Sequence, residues 1–100
     1  MLKSFNATLA ANTAATLFTT ASGHEILTVG LRISGGASGG TVTLTKNSGS
    51  ADVFAETYTV GAGDVLSLDC KTAFPAGYCW KALSDTAGVQ IDVCADDMEV

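Results

Sequence analysis

The sequence predicts an all-β protein, a single antiparallel β-sandwich of the jelly-roll or Ig-like kind with about eight short strands. Three observations carry this. Leu27, Val29, Leu31 and Ile33 alternate strictly with Thr28, Gly30, Arg32 and Ser34, the period of a strand with one buried face. Two stretches, Val60-Gly61-Ala62-Gly63-Asp64 and Phe74-Pro75-Ala76-Gly77-Tyr78, each place Ala-Gly before an alternating run. Gly supplies the positive φ of a tight turn, and Pro75 presets φ at the turn's first corner. Finally, the only run of good helix formers, Ala10–Ala15, is short, interrupted and flanked by Thr.

Taken in order, the strands are expected near 2–9, 15–20, 25–34, 41–46, 53–60, 64–69, 77–84 and 89–95. In the first, Phe5, Ala7 and Leu9 share a face. The second holds the adjacent pair Leu17 and Phe18, and the third is the strongest. The fourth sets Val42 and Leu44 against Thr41, Thr43 and Thr45. Between the third and fourth, Gly35-Gly36-Ala37-Ser38-Gly39-Gly40 reads as a flexible connector. A phosphate-cradling loop would need a following helix N-terminus, and a strand follows instead. Asn47-Ser48-Gly49-Ser50 is the next turn. The two Ala-Gly turns launch the sixth and seventh strands, making the second half an antiparallel meander.

The last two strands suggest a hairpin closed by Asp85-Thr86-Ala87-Gly88. That register sets Ala82 opposite Ile91 and Trp80 opposite Val93 on an oily face. On the other face Lys81 meets Asp92 and Cys79 meets Cys94.

One hundred residues make one domain, 1–100, and such a chain buries only about two-thirds of its unfolded surface. The segments 1–14 and 95–100 are candidate contact arms. Charged residues are 15% of the chain and the formal net charge is −5, a balance that repels phosphate backbones and anionic membranes. Neither a nucleic-acid partner nor a membrane partner is expected. Met1-Leu2-Lys3-Ser4 leads into alternating sequence and not into an apolar signal region.

The three cysteines, Cys70, Cys79 and Cys94, lack the close pairing of a zinc site, and His24 stands far from them in sequence. Cys79 and Cys94 are the candidate disulfide or thiol pair. An odd count without a secretion signal favours free thiols in a reducing compartment. No metal or cofactor is expected. Asp64, Asp69, Asp96, Asp97 and Glu99 read as solvated turn and end residues, because paired catalytic carboxylates need a cleft between them. No Gly-x-Ser-x-Gly elbow exists to pair with His24. An enzyme is not expected. Most aromatics fall on core faces, and Tyr58 and Tyr78 are the candidate interface residues.

The Thr13-Ala14-Ala15-Thr16-Leu17-Phe18-Thr19 strand, the long apolar strand Ile26–Ile33, Gly61-Ala62-Gly63-Asp64-Val65-Leu66, Pro75-Ala76-Gly77 and the closing Val89-Gln90-Ile91-Asp92-Val93 together resemble small β-sandwich virion proteins of tailed bacteriophages. The resemblance spans roughly residues 13–95. It implies a capsid decoration (cement) protein that binds and stabilises the major capsid protein lattice from outside. A tail, baseplate or head–tail junction component, or a carbohydrate- or receptor-binding module, is the alternative. It further implies a homo-oligomer, a trimer matching three-fold lattice sites, located on the virion surface. No catalytic residue is carried over by it.

Overall fold

A computed structural model describes residues 1–100 and contains nine strands: β1 (Leu2–Thr8), β2 (Ala15–Thr19), β3 (His24–Ser34), β4 (Gly40–Asn47), β5 (Asp52–Val60), β6 (Val65–Asp69), β7 (Ala73–Pro75), β8 (Cys79–Ser84) and β9 (Gln90–Glu99). They form two antiparallel sheets. One has the order β1-β9-β3-β6, with β7 also paired to β3, and the other has the order β2-β8-β4-β5. No helix is long and apolar enough to cross a membrane.

The connectivity is that of one long antiparallel ribbon wrapped over itself. Its tip is the β4–β5 hairpin, and its arms pair as β3 with β6, β2 with β8 and β1 with β9. Successive arms fall in alternate sheets, which is jelly-roll winding. The winding decides between the two sandwich types the sequence left open.

It also overturns the expected meander and its closing hairpin. β8 lies between β2 and β4 in one sheet, while β9 lies between β1 and β3 in the other. Ala82, Trp80, Ile91 and Val93 are all buried, but they meet across the core and not side by side. A second correction concerns β7. Its three residues pair with Glu25–Leu27, continuing the edge of β3 beyond the part that β6 covers.

The expected turns do form. Gly63 and Gly77 have φ of 72° and 85°. Asp64 N donates to Gly61 O, and Tyr78 N donates to Pro75 O. The Gly35–Gly40 connector, by contrast, is not a loose linker. Gly35 N donates to Asp64 O at 2.9 Å and Gly63 N to Gly36 O at 2.8 Å, which ties the connector to the Gly61–Asp64 turn. A Cβ on Gly35 would sit 2.1 Å from Gly61 O, so close backbone approach explains the glycine there.

The core is one cluster of 16 buried residues drawn from both sheets. Phe74, with no exposed surface, stands at its aromatic end. Its ring lies 4.9 Å from Phe18, edge-on at 82°, and 5.4 Å from Trp80. Thr20 Oγ1 donates to Phe74 O at 3.1 Å. The Trp80 indole N–H is buried without a partner, a cost of about 1–3 kcal/mol that the ring's burial must offset. Thr28, also fully buried, satisfies the Cys70–Thr72 segment. Its hydroxyl donates to Cys70 O at 2.8 Å and accepts from Thr72 N at 2.8 Å.

The two ends are strands and not free arms. β1 pairs with β9 from Leu2↔Asp96 to Thr8↔Gln90, and β9 pairs with β3 out to His24↔Glu99. Asp97 gathers this corner, its carboxylate 2.7 Å from Lys3 Nζ and 2.8 Å from His24 Nδ1. The Lys3 ammonium first, and His24 second, hold the Asp97 carboxyl below its ordinary range.

Candidate assembly surface

Five strands have a neighbour on one side only: β1, β6 and the three-residue β7 in the first sheet, β2 and β5 in the second. β1 and β2 share one lateral side of the sandwich, where Phe5 and Phe18 stack at 4.9 Å. The four-residue turn Gly61–Asp64 holds β5 and β6 together on the opposite side.

β5 is the most open of them. From Asp52 to Thr57 both of its faces are exposed. Its outward row is Val53, Ala55, Thr57 and Thr59, and its inward row is Phe54, Glu56, Tyr58 and Val60, of which only Val60 is fully buried. Val53 is 53% exposed and Phe54 38%. Unpaired N–H and C=O groups beside such side chains form a template for another strand. Natural edges are commonly blunted by Lys or Pro, and β5 has neither over nine residues.

The candidate interface tyrosines are not brought together. Tyr58 is half-buried, and its hydroxyl donates to the Glu56 carboxylate on the same strand. That bond holds the proton on the phenol, and the Tyr58 pKa is pushed up to about 12. Tyr78 instead closes a cage around Lys46. The Lys46 ammonium lies 5.9, 5.2 and 5.4 Å from the ring centres of Phe54, Phe74 and Tyr78 and donates to Ala73 O at 2.7 Å. Lys46 and Phe54 were not singled out in the sequence. The signal was present, because the alternation Val42, Leu44, Lys46 puts a cation at the end of an inward-facing row.

Cys79 and Cys94 do not oppose each other, and the register expected for them is corrected here. Cys79 pairs with Thr19 and Asn47 on the outer side of the β2-β8-β4-β5 sheet and is 8% exposed. Cys94 pairs with Ser4 and Gly30 on the outer side of the other sheet and is exposed. Two sheets stand between thiols that point apart, so they cannot bridge within one chain. Cys70 follows β6, half-buried, and all three thiols are free.

Two shallow hollows mark the outer faces. One of about 220 Å³ lies over β4 and β8, where Lys81 stands among Thr43, Thr45 and Asp52. The other, about 240 Å³, opens over Gly30, where a side chain is missing beside Cys94, Arg32 and Asp92.

Fold and surface together define a jelly-roll β-sandwich with open lateral edges. No protein-family model and no curated protein matches the chain. Among solved structures it is similar to a chain of the Bacillus endospore appendages, described as a novel family of disulfide-linked pili. The TM-score is 0.59 at 21% identity, over 95% of this chain and 80% of that one. At that identity the likeness shows the fold alone.

Proposed function

We propose that this chain is a non-catalytic structural subunit of a multi-copy assembly, and specifically a decoration protein on the capsid surface of a tailed bacteriophage. The observation that carries the reading is the set of open strand edges with exposed apolar side chains, of which β5 is the longest. The sequence resemblance to small virion β-sandwiches supplies the particular assembly. In this reading the partner is the major capsid protein, the copies sit as homo-oligomers, trimers at three-fold sites, and the protein resides on the virion.

The test is co-sedimentation of the purified chain with undecorated capsids, followed by thermal challenge. Saturable binding and a higher disruption temperature of the decorated capsids are expected. Failure to co-sediment at saturating protein would overturn the capsid reading.

A second reading is favoured by the structural neighbour: a subunit of a disulfide-linked, pilus-like fibre. Its supporting feature here is Cys94, exposed on an outer sheet face. This reading expects covalent multimers on non-reducing gels of the assembled material, lost in Cys94→Ser. The capsid reading expects none.

A further inference from the structure

The six apolar residues that strands leave half-buried against the core share a location. Phe5 and Ala7 lie on β1, Ala15 on β2, Tyr58 on β5, and Leu66 and Leu68 on β6. All four strands are sheet edges. The core is thus complete at its centre and unfinished along both lateral sides. The most exposed large apolar side chains within strands lie there too, Leu2 at 66% on β1, Val53 at 53% on β5 and Val65 at 57% on β6, against 40% for Val29 and 41% for Leu83 on the central strands β3 and β8.

The two sides are also compatible with each other. Each main sheet path has four antiparallel strands, so its two edge strands run in opposite directions. A copy displaced sideways without inversion therefore offers β1 to β6 and β2 to β5 in antiparallel sense, and both sheets can run on. Charge distinguishes the two sides by their acids. β5 and β6 carry Asp52, Glu56 and Asp69 and no cation, whereas β1 and β2 carry no acid, their one cation, Lys3, being already paired with Asp97 of its own chain. Pairing β5 with a second β5 would bring carboxylates together, and like charges across a strand pair are destabilising.

We propose that copies of this chain associate head to tail, the β5/β6 side of one against the β1/β2 side of the next, with both sheets continuous across the junction. Directly opposed residues must share a face. Leu66 and Leu68 face inward opposite Ile33 and Leu31, and Phe5 and Ala7 face inward opposite Val93 and Ile91. The apolar match sets Leu66 against Ala7 and Leu68 against Phe5 of the neighbour. Ser67 then opposes Asn6 on the outer face, and every residue of β6 finds a partner between Ser4 and Thr8. Such a contact is heterologous: it closes into a ring or continues as a fibre. The inference rests on the premise that the edges carry assembly, but its partner is a second copy of the chain, whatever larger body is bound.

The experiment uses the full chain without capsids. Sedimentation velocity from micromolar to millimolar protein should show concentration-dependent species beyond the dimer. In a Cys94→Ser background, Ser67→Cys and Asn6→Cys are placed on separate chains and oxidised with diamide. Equimolar mixing should give at least tenfold more covalent dimer than either variant alone. Both substitutions on one chain should give a ladder of multimers, because the two positions lie on opposite sides of a monomer. Each variant is compared with wild type by circular dichroism, and both exposed sites should leave the β-spectrum unchanged. A monomer at every concentration, a dimer that goes no further, or cross-linking by Ser67→Cys alone equal to the mixture overturns the proposal. Capsid co-sedimentation of the wild type is scored separately, so either reading can fail while the other stands.

Discussion

Phe74→Ala removes the ring on which the aromatic end of the core converges. Phe74 is fully buried, within 4.9 Å of Phe18, 5.4 Å of Trp80 and 5.2 Å of the Lys46 ammonium. Buried Phe→Ala changes cost about 3–5 kcal/mol through lost transfer energy and the cavity left behind. This site belongs near the middle of that range. One edge-on and one tilted ring contact add to the loss, but β7 is short and on a sheet edge, so it can partly collapse into the gap. A loss of about 4 kcal/mol is a large share of the roughly 5–15 kcal/mol that stabilises a typical domain. It should lower Tm by about 20 °C in a chain of this length. Urea unfolding followed by the fluorescence of Trp80, the single tryptophan, measures it directly. The midpoint should fall by about 2 M with an unchanged slope. Phe54→Ala, on the exposed lip of the same cage, should cost less than about 1 kcal/mol. A Phe74→Ala loss below about 1.5 kcal/mol would refute the view that β7 is held by this ring.

Thr28→Val keeps the shape of a buried side chain but leaves Cys70 O and Thr72 N without their hydroxyl partner, and should cost about 1–3 kcal/mol in the same urea assay. Asp97 titrates below its ordinary value of 3.8 in the folded chain, so its contribution is present above that pH and is lost as pH falls through the folded value. Asp97→Asn should therefore be less stable than wild type at neutral pH, and the two should converge in acid titrations read by circular dichroism. Tyr58 should ionise near 12 in an ultraviolet alkaline titration, and Glu56→Gln should bring it back toward 10.0, because the bond to the Glu56 carboxylate is the largest cause of the shift.

What the sequence could reveal follows from what alternation encodes. Period-2 patterning reports which face of a strand is buried, and it placed Val42, Leu44, Leu31, Ile33, Ile91 and Val93 correctly in the core, but it failed in the first half of β3, where a bulge between Thr28 and Gly30 turns Ile26 and Thr28 inward and leaves Val29 exposed. It does not report whether the covering residue lies beside a strand or across from it. Trp80 and Val93 would alternate identically in a hairpin and in two facing sheets, which is why the Cys79–Cys94 register looked sound and is absent. β7 escaped because three residues are too few to alternate, and its place on β3 depends on Thr28 reaching Cys70 and Thr72 from far along the chain. Glycine in the Gly35–Gly40 segment looked like looseness. It marks close approach to Gly61, which only the folded chain reveals. The open edges were legible only in general terms, since a strand's place in a sheet is fixed by the winding and not by its own residues.

The ring-flanked Lys46 has a practical use. The chain has four lysines, and the amine of this one is shared among three ring faces and a backbone carbonyl, while Lys3 is exposed but tied to Asp97 and Lys71 stands in solvent. Acylating reagents should label Lys71 promptly and half-buried Lys46 more slowly, the rate rising whenever Ala73–Tyr78 lifts away from β4. The rate of its acylation, followed by peptide mass spectrometry, then becomes a clock for local opening at one end of the sandwich. Because the three rings come from β5, β7 and the turn before β8, a single reactive nitrogen reports on contacts between both sheets.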